Sequence, residues 1–174
     1  MMRKGIRIRK IIVFARITVV SLLTLLLTSC GLTSPVKLPT ESTFVITSLH
    51  GVSLPKRTRT GLTLLVTLPV ASPGYKSNRM IYVDVPYKLK SFANNRWIAP
   101  PANMLLPLVA QQVRRLGYFK AVVTTPFSGS TNYRLDTRLI LLQQEFMQPT
   151  SKVRLVLQAS RINNNTKRII ASRR

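Results

Sequence analysis

The chain is poor in the residues that most site chemistry needs. It has one histidine, His50, one cysteine, Cys30, and four acids, Glu41, Asp84, Asp136 and Glu145, against 27 lysines and arginines. One cysteine excludes an intrachain disulfide, so the fold must be held by packing. His50 has no cysteine, histidine or carboxylate at ligand spacing, which argues against a metal site and for a turn or surface histidine. Asp84 and Asp136 lie in strand-like patterns beside basic residues, and each reads as half of an ion pair rather than as an acid–base catalyst. No glycine-rich phosphate loop and no Gly-x-Ser-x-Gly elbow occurs, and Ser128-Gly129-Ser130 is only a turn. Asn164-Asn165-Thr166 matches a glycosylation sequon, a pattern without meaning in most bacteria. The chain therefore reads as a non-enzyme with no cofactor. A long apolar run is also missing: Arg16 interrupts 11–27, leaving less than the roughly 20 residues that cross a bilayer.

What is present at the N-terminus is a graded leader. Arg3, Lys4, Arg7, Arg9, Lys10 and Arg16 precede an apolar stretch at 17–27, which ends in Leu27-Thr28-Ser29-Cys30. A charged start, an apolar middle and small residues at the end define a secretory signal. The Leu-Thr-Ser-Cys ending is similar to the lipobox of bacterial lipoproteins, which implies cleavage between Ser29 and Cys30 and a lipid carrying palmitate-type chains on the Cys30 sulfur. A retained anchor helix and an organellar transit peptide are the rival readings of this segment. Three regions follow: a signal peptide at 1–29, a lipidated tether at 30–43 that is small, polar and broken by proline, and one domain at 44–174.

Removal of 1–29 takes six basic residues and no acid, so the exported chain carries 21 bases against 4 acids, a charge of +17. Such a charge speaks to partners and not to fold. Nucleic acid is the reflex partner, but export leads away from it. Anionic headgroups, lipopolysaccharide phosphates or an acidic protein fit better. The densest cluster, Lys56-Arg57-Thr58-Arg59, reads as a solvated loop.

Periodicity gives the elements. Residues 44–49 read as a first strand, 61–70 alternate with Leu62, Leu64, Val66 and Leu68 on one face, and 80–85 and 87–92 form a pair around Pro86. One helix is convincing, at 100–117: Ala102, Leu105, Leu106, Val109, Val113 and Leu116 share a face, and Gly117 stands just past its end. Pro107 inside the pattern predicts a kink or a start nearer Asn103. Strands follow at 119–125, at 133–146 (Tyr133, Leu135, Thr137, Leu139 and Leu141 inward), at 152–161 (Val153, Leu155, Leu157 and Ala159 inward) and at 167–173. The expected class is α+β, two layers, a mostly antiparallel sheet with one main helix on one face.

One stretch is more specific than pattern. Tyr87, Phe92-Ala93-Asn94-Asn95-Arg96-Trp97-Ile98-Ala99-Pro100-Pro101, the helix, Leu116-Gly117-Tyr118-Phe119 and Tyr133-Arg134-Leu135, in that order, resemble the ABC-type transport auxiliary lipoprotein family. The resemblance spans about 44–173 and implies an outer-membrane lipoprotein facing the periplasm. It implies work beside ABC transporter subunits and an MCE-domain protein that move lipids or other hydrophobic compounds. Gly31 after Cys30, rather than aspartate, agrees with sorting to the outer membrane. Trp97 is either a partner contact or the residue that staples its loop onto the sheet. Family members continue into a final amphipathic helix, whereas this sequence ends at Arg174. That departure implies an incompletely covered sheet, lower stability or homo-oligomerisation. Rival functions are a lipid-anchored module for anionic envelope polymers and, without an aromatic-basic groove to support it, a DNA-uptake lipoprotein.

Overall fold

The structure, a computed structural model, describes residues 16, 18, 19, 21, 40–49 and 57–174. It divides into two units, Met1–Pro39 and Thr40–Arg174. In the first, the four described residues are helical and exposed. Among the described residues no helix is long and apolar enough to cross a membrane. Ser29, Cys30, Gly31, His50 and Lys56 lie outside the described residues, as does the tether up to position 39.

The second unit is an α+β domain in which one helix covers a strand-rich sheet. Its strands are β1 (Ser42–Phe44), β2 (Thr63–Val66), β3 (Val70–Ala71), β4 (Arg79–Val83), β5 (Lys90–Trp97), β6 (Ala121–Thr124), β7 (Tyr133–Glu145), β8 (Lys152–Asn163) and β9 (Ile169–Arg173). The helix α1 (Pro101–Arg115) lies between β5 and β6.

The long strand β7 organises everything else. Along one edge it pairs antiparallel with β8, from Tyr133↔Asn163 to Glu145↔Lys152, and β8 pairs with β9, which completes the expected antiparallel meander. Along the other edge it receives β2, β3 and β4 in succession, all parallel. These three short strands act as one interrupted strand. Pro69 falls in the break between β2 and β3, where a residue without an N–H cannot extend a ladder. β6 adds to β2 in parallel, β5 to β4 antiparallel, and β1 to β5 in parallel. The sheet is therefore mixed. Alternation discloses which face of a strand is dry but not which strand lies beside it.

The core is two apolar clusters bridged by α1. Tyr75, Leu105, Leu139 and Leu142 form the first, with Ile46, Leu49, Ile81 and Trp97 packed against it. Leu64, Val66 and Ala110 form the second, with Leu106, Val109, Val113 and Phe119 around them. The helix presents Leu105 to one cluster and Ala110 to the other, so a single element closes both. Helical spacing of the apolar residues produces this wide face. Pro107 neither stops nor delays the helix, which starts at Pro101 and continues through it. Pro107 and Asn103 are both exposed, so the carbonyl that loses its intrahelical donor can be served by water. Pro101 occupies the first turn, where its missing N–H costs nothing. Gly117 ends the helix at φ 71, donating its N–H to the Arg114 carbonyl at 3.0 Å.

Three strand expectations are corrected. Residues 45–49 are not a strand: β1 stops at Phe44, and Ile46 and Leu49 pack under the sheet as irregular chain. Their apolar content reports burial, which extended and irregular backbone share. The strand expected at 87–92 begins only at Lys90 and runs to Trp97, because Tyr87 takes a left-handed backbone (φ 64) that no strand contains. Val153, expected inward, lies on the face of Leu155 but is 72 % exposed and takes no part in the core.

Candidate functional site

Every acid in the chain is paired. Lys90 Nζ meets Asp84 Oδ2 at 2.6 Å, Arg96 Nε meets Glu41 Oε1 at 2.8 Å, Arg134 Nε meets Asp136 Oδ1 at 2.8 Å and Arg154 meets Glu145 Oε1 at 3.3 Å. Asp84 and Asp136 thus take the ion-pair role expected of them. The hydrogen bond from Lys90 holds the Asp84 carboxyl below its ordinary range, and the same bond raises the Lys90 ammonium. With the acids satisfied inside the domain, the basic excess faces outward. Arg57 and Arg59 lie in an exposed segment tied to the rest of the domain, the first by its backbone N–H to Leu116, the second by its guanidinium to the Lys120 carbonyl.

The break between β2 and β3 leaves a groove of about 530 Å³ on the sheet face away from α1. β7 contributes Arg134, Asp136 and Arg138 to it, and β8 contributes Gln158 and Ser160, the register partners of Arg138 and Asp136. Asp136 is fixed from three directions: two bonds from the Arg134 guanidinium, at 2.8 and 2.9 Å, and one from the Thr67 hydroxyl at 3.0 Å. That neutralises the one negative group in the groove. Arg138 remains exposed, beside an amide and a hydroxyl, an arrangement that can take an anionic group by charge-assisted hydrogen bonds. The groove holds no nucleophile beside a general base. Thr137, which also lines it, is only 5 % exposed, and its Oγ1 has no hydrogen-bond partner. Among the described residues no group of three His, Cys, Asp or Glu side chains is placed to hold a metal ion.

Trp97 packs against the first core cluster, directly opposite Phe44 of β1. Its backbone N–H bonds to the Asn78 carbonyl at 2.8 Å, and the next residue, Ile98, bonds to the Phe44 carbonyl at 2.8 Å. This contact joins β5, β1 and the segment leading into α1. A partner contact through Trp97 would have to use the part of the ring that stays in solvent. Sequence reasoning did not find the groove, because it arises where two strands separated in sequence leave β7 uncovered; Pro69 was its only signal.

The domain thus has the architecture of a non-repetitive single-helix α+β module with a mixed sheet. That fold is shared with a Xanthomonas campestris protein assigned to the family DUF330, which is 21 % identical, with a TM-score of 0.64 over 76 % of this chain and 74 % of that one. A second solved structure, of an uncharacterized protein, is 14 % identical, with a TM-score of 0.55 over 78 % of this chain and 76 % of that one. Likeness at these identities establishes the fold alone. No family model matches the chain, and no curated protein matches it in sequence.

Proposed function

We propose that this protein is an outer-membrane lipoprotein, anchored through Cys30 and facing the periplasm, that serves as the auxiliary component of an ABC/MCE-type system moving lipids or other hydrophobic compounds. The observation that carries the reading is the conjunction of leader and fold. A Leu27-Thr28-Ser29-Cys30 box precedes a domain whose fold is that of a DUF330 protein. Part of the stretch on which the auxiliary-lipoprotein resemblance rests, Phe92 to Pro101, forms β5 and leads into α1, the helix that packs on both clusters. Stable attachment through Cys30 requires more than one acyl chain on that residue, because one chain binds only marginally. In this reading the domain is a non-catalytic adaptor, and its contacts with transporter subunits are protein–protein contacts. The test is affinity purification of the tagged chain from solubilised envelopes. Co-purification of an MCE-domain protein and ABC subunits is expected; their absence overturns the transport role.

One observation favours a second reading. The paired acids and the exposed Arg138 groove suit an anchored module that binds anionic envelope polymers without a transporter. Salt-sensitive binding to lipopolysaccharide, with no MCE protein recovered, would select it.

A further inference from the structure

The end of the sheet where β4 turns into β5 and β7 turns into β8 exposes several apolar side chains, of which Leu89 rests partly on Gly74 and Phe146 partly on Tyr82 while Tyr87 stands clear of the domain. In the first turn Val85, Tyr87 and Leu89 are all exposed, and Tyr87 stands fully clear of the protein at 104 %. In the second turn Phe146 and Met147 are exposed as well. The two turns are neighbours: β4 and β7 run parallel to Val83↔Glu145, and the Phe146 N–H bonds to the Val83 carbonyl at 2.8 Å. Phe146 also meets the Tyr82 ring edge-on at 5.9 Å, which ties the exposed tip to a rigid aromatic base. Tyr87 is held outward by a backbone at φ 64, a conformation that side chains other than glycine rarely adopt. A left-handed residue whose side chain stands clear of the domain is available to a surface outside it.

Charge says what that something is. Lys88 lies within the first turn, and Lys152 and Arg154 line a groove of about 400 Å³ beside the second. The two acids at this end, Asp84 and Glu145, are already neutralised by Lys90 and Arg154. Apolar and aromatic tips inside a rim of lysines match an anionic bilayer interface, where tyrosine settles at headgroup depth and each nearby base adds attraction. We propose that this end of the sheet is a membrane contact of its own, with Val85, Tyr87 and Leu89 inserted into the interface of an anionic phospholipid leaflet and Lys88 and Lys152 against its headgroups. It goes beyond the lipid anchor and does not depend on it.

The experiment places a nitroxide at Tyr87→Cys, and separately at Ser128→Cys in the exposed turn before β7, in the purified full chain carrying Cys30→Ser. That background has no lipid anchor, so failure here and failure of the lipoprotein reading are separate results. Vesicles of phosphatidylcholine alone are compared with vesicles of three parts phosphatidylcholine to one part phosphatidylglycerol. With the anionic vesicles, the position 87 label should become more accessible to oxygen than to a water-soluble nickel complex, while the position 128 label stays in water. A position 87 label that stays in water overturns the proposal. So does equal insertion without phosphatidylglycerol, and so does shielding of position 87 in the absence of vesicles, which would mark a protein contact instead. Tyr87→Gly serves as the second variant, because glycine tolerates φ 64 and leaves the fold intact. On the Cys30→Ser background, its domain-dependent partition into anionic vesicles, read as protection of Lys88 from amine labelling, should weaken roughly tenfold with loss of the tyrosine. An unchanged protection would contradict the insertion of Tyr87.

Discussion

Leu139 and Leu142 lie three positions apart in β7, and both are buried in the cluster with Tyr75 and Leu105, at 0 % and 5 % exposure. Strict alternation would put them on opposite faces of the sheet. A shift of register against β8, between Leu139 and Leu141, inserts the extra residue that turns both inward. The second half of β7 can thus lie beside β4 while still facing α1. Because each leucine fills a closed site, Leu139→Ala and Leu142→Ala should each cost about 2–5 kcal/mol in urea unfolding. A loss below about 1 kcal/mol for either would mean that its site collapses or is filled by water.

Thr137 gives a prediction of the opposite sign. Its Oγ1 is buried without a partner, so the protein bears the cost of stripping a hydroxyl of water. Thr137→Val keeps the shape and removes that cost. It should stabilise the domain by about 1 kcal/mol, measured as a rise in the urea midpoint at unchanged slope. A destabilised variant would show that the hydroxyl is satisfied by water in solution.

Tyr75 contributes to the pH dependence of stability on the alkaline side. Its ring is buried, its hydroxyl donates to Gln143 Oε1 at 2.6 Å, and burial, aided by the Glu145 charge, raises its pKa above the ordinary 10.0. The neutral form is therefore favoured in the fold. Its contribution is fully present below pH 10.0 and is lost as the pH climbs past that value, where the unfolded chain ionises first. Tyr75→Phe should flatten the fall in stability above that pH, at a cost of about 1 kcal/mol near neutrality from the lost hydrogen bond. An equally steep alkaline fall in the variant would assign it to other groups.

The C-terminus of α1 depends on backbone conformation rather than on space. A Cβ at Gly117 would meet only the Arg57 carbonyl oxygen, at an ordinary 3.9 Å, yet its φ of 71 disfavours any other residue. Gly117→Ala should cost about 1–2 kcal/mol, and Gly117→Asn less, because asparagine tolerates the left-handed region. Equal losses for the two would point to packing instead.

Much of this was legible in the sequence where one local rule decides the outcome. The helical stripe from Ala102 to Val113, Gly117 at its end and the alternation of β7 up to Leu139 and of β8 from Leu155 each announce themselves, and the single-helix α+β class follows from them; the bulge that turns Leu142 inward does not. What was hidden depends on partners distant in sequence. The parallel addition of β2, β3 and β4 to β7 leaves no local trace, and neither does the groove at their break. Residues 45–49 misled because Ile46 and Leu49 are apolar for the sake of the core, not of a strand. Tyr87 misled because an aromatic residue in a β-rich segment normally marks a strand, and here it marks a turn. Cys30 and the leader were read from sequence, and Cys30 and all of the leader but positions 16, 18, 19 and 21 lie outside the described residues.

The central claim is that Cys30 becomes the first residue of the exported chain and carries lipid. Intact-mass analysis of the protein purified from membranes tests it most directly. The account predicts a chain beginning at Cys30, heavier than its polypeptide by a diacylglyceryl group and any further acyl chain; an uncleaved leader or an unmodified thiol at Cys30 would contradict it.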